Sequence, residues 1–426
     1  MPERRSRQIR RLAVALAAAC AWTCPALRAD PLLLSRIKIR MRENLNRLPN
    51  YTCLQTIERS KRPAPSRRWL LVDTLRLEVA LVEGKEMFSW PGAGRFEDKK
   101  LGDLVGGGTI GNGSFALHAR SVFSSTAPTF TFAGERQREG RRTWRYDYVV
   151  PLMLSGYHIR VSEHEAVVGY HGSLWADAET LDLIRLEVHA DDIPPHLPLS
   201  SASDAMEYAR ARIGDGEFLL PQSSELVMED LYGNESRNRT QFSACRQYAG
   251  ESFLIFAEPT VVEEVPTAVP VREVRLPTGL ALDLELETTI EFRSAAVGDP
   301  IAARLRSDAR QQGRVIVPKG AQVSGRIVRL ERIGLSSDYL IIGLQFSGVE
   351  FDNSRAEFLA RLEEAMLSPF ASTARPGGGA AVMLPRMEQG NRPGLGIIHL
   401  RSGPLRLAKG FRMIWRTENT GSGNKP

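Results

Sequence analysis

Leu34, Ile37, Met41, Leu45 and Leu48 recur at helical spacing, and Arg36, Lys38, Arg40, Arg42 and Arg47 take other positions. This pattern predicts an amphipathic helix over residues 32–48, ended by Pro49-Asn50. From Tyr51 the period shortens to that of strands. Residues 51–59 read as the first strand, and residues 69–90 as two more that turn at Gly84-Lys85. Residues 129–132, 143–150 and 157–161, rich in aromatic and β-branched side chains, are further strands. Residues 167–175 and 181–188 flank a polar turn, Asp177-Ala178-Glu179-Thr180. Strands at 217–220 and 225–231 follow, and Gly233-Asn234 turns the chain into 241–247. Residues 114–123 are the best internal helix, with Ser114 as its N-cap. Residues 204–213 fit either a helix or a strand.

The alternation stops at residues 257–275, where Pro259, Pro266 and Pro270 lie among charged residues. That composition suits an extended linker. It separates a region over 30–256 from a second over 276–417, each large enough to support its own core. In the second region Leu280, Leu282, Leu284 and Leu286 share one face of a strand. Residues 314–317 and 321–330 flank Pro318, Lys319 and Gly320, which read as a hairpin connection. Proline sets the first turn angle and glycine accepts the left-handed position. Residues 339–346 alternate again. The capping-box spacing of Ser354 and Glu357 predicts a helix over 354–367, with a strand as the alternative. Residues 368–393, rich in Pro and Gly, read as a long loop, and 396–400 and 411–416 as closing strands. The tail, 418–426, is expected to be disordered. The fold class is therefore mainly β with few helices: a curved antiparallel half-barrel domain and a second, smaller β-barrel or sandwich domain.

The first 29 residues change the charge argument. Arg4, Arg5, Arg7, Arg10 and Arg11 precede an apolar run over 12–22, and small or polar residues lead to Ala29. The order of these segments is that of an export leader, and the run is shorter than the ~20 residues of a membrane span. Lipid attachment at Cys20 is a minor alternative. The whole chain has 56 basic and 50 acidic residues; residues 1–29 contribute six Arg and one Glu, so the rest carries a net charge of +1. This balance gives no support to a nucleic-acid partner. The expected location is periplasmic or secreted, with no transmembrane helix after leader removal. Cys53 and Cys245 alone remain after cleavage, so pairing within one chain allows a single connectivity, in a compartment that permits oxidation. Two separately buried thiols are the alternative.

Signatures of catalysis are weak. Gly106–Gly111 spells a dinucleotide-binding pattern, but the strand before it is poor and a loop explains it better. No phosphate loop occurs, since Lys319 follows proline. His158, His164 and His171 lie near one another, with Glu163 and Glu165 beside His164, yet they lack metal-ligand spacing. Ser114 after Gly113 is the nearest imitation of a nucleophile turn. Asp191-Asp192 and Glu263-Glu264 read as solvated loop charge. Trp144, Tyr146 and Tyr148 alternate on one strand face, which suits core packing better than a stacking platform. No catalytic residue, cofactor or metal is expected.

Over residues 31–256, the helix followed by about ten β segments resembles the bacterial lipoprotein-carrier fold. The best local match is Leu174-Trp175-Ala176-Asp177 through Thr180, then Leu183-Ile184-Arg185-Leu186. The resemblance implies an N-terminal helix packed on a half-barrel that shelters acyl chains. Gly298-Asp299 and the run Val315-Ile316-Val317-Pro318-Lys319-Gly320-Ala321 through Gly325 resemble the β-barrel domain of the type IV secretion outer-membrane core family. That similarity covers residues 276–330 and fades beyond; a counterpart of the family's membrane-crossing helices is missing. The complete arrangement also resembles a group of exported bacterial proteins, a likeness that implies no activity. The reading these features support is an exported, non-enzymatic envelope protein that binds a lipid or other apolar ligand, or an envelope protein. The alternatives are an exported hydrolase acting on polymer or lipid, and a structural scaffold or adhesion module.

Overall fold

The computed structural model describes residues 30–66, 68–93, 96, 113–161, 164–248, 272–333, 339–366, 386–389, 393–401 and 406–418. The expected leader, the Gly106–Gly111 run, residues 257–271 of the expected linker, most of 368–393 and the residues from 419 lie outside them.

Helix α1 (Leu33–Arg47) buries Leu33, Ile37, Met41 and Leu45. These lie at helical spacing, and each contributes about 1.5–3 kcal/mol when fully buried. The first sheet contains β1 (Tyr51–Arg62), β2 (Leu70–Val82), β3 (Lys85–Ser89), β4 (Thr129–Arg138), β5 (Arg141–Val150), β6 (Tyr157–Val161), β7 (His164–Asp177), β8 (Leu183–Asp191), β9 (Leu199–Ile213), β10 (Gly216–Asp230) and β11 (Glu235–Gln247). Its order is β3-β2-β1-β11-β10-β9-β8-β7-β5-β4, with β6 paired to β7. Helix α2 (Leu117–Phe123) lies in the crossing from β3 to β4 at the opposite edge. The meander then returns strand by strand to β1. Register shifts in β1, β4, β7 and β10 add local twist, and the sheet curls into a half-barrel.

The structure differs from three local expectations and settles a fourth that was open. The β2–β3 turn is Glu83-Gly84, both at positive φ, one residue earlier than the pattern suggested. Ser114 does not cap α2: the N-cap is Ala116, with no side-chain cap. Residues 204–213 belong to β9. Residues 354–366 form two strands, β20 (Ser354–Glu357) and β21 (Ala360–Met366), where a helix was expected. Their neighbours decide this, because β20 pairs with residues 348–351 and β21 with 412–417.

The second sheet adds β12 (Arg272–Val274), β13 (Ala281–Leu286), β15 (Pro300–Leu305), β18 (Gln322–Ile333), β19 (Tyr339–Phe351), β22 (Arg386–Gln389), β23 (Leu395–Arg401) and β25 (Arg412–Thr417) to β20 and β21. Two small sheets pair β14 (Ile290–Glu291) with β24 (Arg406–Leu407), and β16 (Ala309–Gln311) with β17 (Arg314–Val317). Arg272–Val274, inside the expected linker, pairs in parallel with β20. Pro318, Lys319 and Gly320 turn the chain, with Gly320 at φ +89°, but the strands beside them do not pair with each other. Strand β17 folds back on β16, while β18 runs between β15 and β19. The turn is tied instead to the end of β15 and the chain beyond it. Gly320 N–H donates to Leu305 O at 2.9 Å and Lys319 N–H to Asp308 Oδ1 at 2.9 Å.

The two sheets touch directly. Leu75 of β2 bridges Val297, Val297 N–H donates to Thr74 O, and Arg76 N–H donates to Val297 O, each bond 2.8 Å long. The Arg76 guanidinium binds the Asp299 carboxylate. Gly298, at φ +103°, lies against Trp90, where a Cβ would come within 2.7 Å of the indole. Buried apolar side chains run without a break from Tyr51, Leu75 and Leu77 to Leu284, Phe346 and Trp415.

Candidate functional site

Both helices pack on one face of the half-barrel. Tyr146, Tyr148 and Val150 of β5, Tyr170 and Leu174 of β7, Leu186 and Val188 of β8 and Met206 of β9 meet the apolar sides of α1 and α2 there. The alternating aromatics of β5 are thus part of a core. Gly172 lets Tyr148 lie across β7, and the Tyr148 hydroxyl donates to Glu187 O at 2.6 Å. Helix α1 also has a polar clamp. Pairing of β10 with β11 runs only from Ser223 to Glu229, which leaves the edge at Leu219 open. Asn44 fills it: Leu219 N–H donates to Asn44 Oδ1 and Asn44 Nδ2 donates to Leu219 O, both at 2.9 Å. Asp182, beyond the Asp177–Thr180 turn, accepts from Arg40 and Arg210.

Beneath α2 the face changes character. Glu86 of β3 is partly buried, and its carboxylate accepts from the backbone N–H groups of Gly113, Ala116 and Leu117 at 3.0, 2.8 and 3.2 Å. It therefore supplies the cap that Ser114 does not, since helix N-termini leave N–H groups without partners. Asp204 of β9 is 2% exposed. His118 Nε2 stands 3.7 Å from Asp204 Oδ2, and Tyr157 packs edge-on against the imidazole. The Tyr51 and Tyr208 hydroxyls and Asp204 Oδ1 are buried with no hydrogen-bond partner.

Burial sets the ionisation of this cluster. It raises the Asp204 carboxyl to about 6 and lowers the His118 imidazole to about 4. It also raises Glu86, against the pull of three N–H donors.

A pH prediction follows. Asp204 is raised in the fold, so its contribution is present at low pH and lost as pH rises through about 6. His118 is lowered, so its contribution is present above its unfolded value and lost as pH falls through about 4. Between those values folding moves a proton from imidazole to carboxyl, and the pair leaves stability nearly level. Asp204→Asn removes the compensating half. Relative to wild type, it should lose about 2 kcal/mol between pH 6 and pH 4. Urea midpoints at pH 7, 6, 5 and 4 measure this, and parallel profiles for the two proteins would refute it.

The remaining histidines disperse. His158 faces Glu165 at 3.6 Å, and His196 approaches Glu165 O at 3.4 Å. His171 stacks on His189 of β8, a partner that nearness in sequence could not suggest. Among the described residues no three His, Cys, Asp or Glu side chains converge to hold a metal ion, and no helix is long and apolar enough to cross a membrane. Cys53 of β1 and Cys245 of β11 form a disulfide, with Cα atoms 4.1 Å apart.

No protein-family model matches the chain, and no curated protein matches it. Among solved structures, a LolA superfamily protein from Nitrosomonas europaea is similar over 50% of this chain and 93% of its own, at 11% identity and a TM-score of 0.27. A putative outer membrane lipoprotein-sorting protein domain from Vibrio parahaemolyticus is similar over 50% and 92%, at 13% identity and 0.29. A DUF1329 family protein from Desulfovibrio piger is similar over 51% and 92%, at 10% identity and 0.28.

Proposed function

We propose that the half-barrel binds a lipid or other apolar ligand in the cell envelope when α1 and α2 lift from the face they cover. The observation that carries this reading is the mixed wall beneath α2, where an apolar surface adjoins three buried polar atoms that lack partners. Each such atom costs the closed arrangement about 1–3 kcal/mol. Helix α2 has only seven residues, too few to persist without tertiary support. Opening would hydrate the orphaned groups and expose apolar surface to a ligand. On this reading the second sheet docks the carrier to an envelope protein.

The test uses the full chain, expressed with its own leader, and the fluorescent probe N-phenyl-1-naphthylamine. Saturable binding is expected. Asn44→Ala removes both bonds to Leu219, raises the open population and should tighten apparent binding roughly 5- to 30-fold. No saturable binding, or binding indifferent to Asn44→Ala, would sink the proposal. The rival reading, a hydrolase, rests on the convergence of Glu86, Asp204 and His118. It predicts turnover of fatty-acyl esters that is abolished in Asp204→Asn.

A further inference from the structure

We propose that His171 and His189 form a bidentate site for a divalent transition-metal ion on the face of the half-barrel opposite the helices. The two residues lie directly opposite on the antiparallel strands β7 and β8. Side chains so placed leave the sheet on one face with Cβ atoms about 4.5–5.5 Å apart. Their imidazoles stand parallel, 5.1 Å between centroids and 19° between planes, and each is about half exposed.

Hydrogen bonding prepares the first of them as a ligand. Both oxygens of Asp191 lie 2.8 Å from His171 Nδ1. A carboxylate there holds the proton on Nδ1 and leaves the Nε2 lone pair outward. This is the arrangement in which a second-layer acid orients a metal-binding histidine and increases its basicity. Glu187 Oε2 lies 3.8 Å from His189 Nε2. Glu187 also accepts from Arg185 at 2.6 Å, so Asp191 is the acid whose charge favours a cation at the pair. Metal–nitrogen bonds of about 2.0–2.1 Å require the two donor nitrogens to approach within roughly 3.5 Å. Rotation of half-exposed rings about their side-chain torsions supplies that adjustment without moving the sheet. Because no third side chain among the described residues converges on the pair, solvent completes the coordination. Imidazole pairs of this type favour copper, nickel and zinc, with copper strongest.

The site lies on the sheet face opposite the helices, so it is independent of the ligand reading above. The experiment is calorimetric titration of CuCl2 and ZnCl2 into the full chain, expressed with its leader and without a histidine tag, near pH 7.5. One ion per chain is expected, with copper bound more tightly than zinc. His171→Gln and His189→Gln should each weaken binding at least tenfold. Asp191→Asn keeps both ligands and should weaken it roughly tenfold. Thermal melts of the metal-free variants should match wild type, since the substituted rings are half exposed. The proposal is overturned if wild type binds neither ion below about 1 mM, or if His171→Gln/His189→Gln binds as wild type does, because the ion would then sit elsewhere.

Discussion

Replacing Cys53 and Cys245 together by alanine is expected to lower unfolding stability by several kcal/mol. The bond joins β1 to β11 across a separation of 192 residues, and those strands are neighbours in the first sheet. It therefore ties together the beginning and end of the half-barrel. Loop-closure entropy for a span of this size gives about 5 kcal/mol, and removal of native disulfides from small domains typically costs about 2–5 kcal/mol. Alanine avoids placing a hydroxyl at Cys53, which is 1% exposed. Urea unfolding with and without dithiothreitol measures the effect. The wild-type midpoint should fall on reduction to that of the double variant, whose own midpoint should not respond. Equal midpoints for oxidised, reduced and substituted protein would refute it.

Trp415→Ala is expected to cost about 3–5 kcal/mol, the range for removing a large aromatic side chain from a close-packed core. Trp415 is fully buried, with edge-to-face contacts to Phe346 and Phe358 at centroid distances of 5.5 and 5.4 Å. Gly396 makes room for it, since a Cβ there would lie 2.9 Å from the indole. Trp415→Phe provides the contrast. The indole Nε1 is buried without a hydrogen-bond partner, so phenylalanine discards an unsatisfied donor along with part of the packing. Its cost should be well under half that of alanine. Equal losses for the two would show that packing at this site matters less than proposed. The same unfolding curves test whether residues 30–256 and 276–417 behave as separate domains. A first-region transition that Trp415→Ala leaves in place would mark them as independent; one transition shifted as a whole would mark the continuous core as shared.

The sequence alone determined elements whose pattern is local. Helix α1 is written in the spacing of Ile37, Met41 and Leu45, and its apolar side meets the sheet. The polar turn after β7 forms because Asp177 accepts from its own Glu179 and Thr180 N–H groups, both at 2.9 Å. Mainly β architecture was legible for the same reason, since a strand's period of two is set by covalent geometry. Tertiary structure decided what depends on partners distant in the chain. The start of α2 is set by Glu86, some 30 residues earlier, and a capping rule confined to neighbouring residues points to Ser114 instead. The 354–366 segment satisfies a capping-box spacing, yet pairing with β19 and β25 satisfies more of its backbone groups and makes it two strands. Glu86, Asp204, Tyr51 and Tyr208 carry no local motif, and only the closing of the sheet beneath α2 brings them together, with Asp204, Tyr51 and Tyr208 buried. The histidine pair obeys the same logic: His171 and His189 are 18 positions apart, but antiparallel register sets them face to face. Local periodicity encodes which face of an element is apolar; which elements meet is settled by the burial gained when the whole sheet closes.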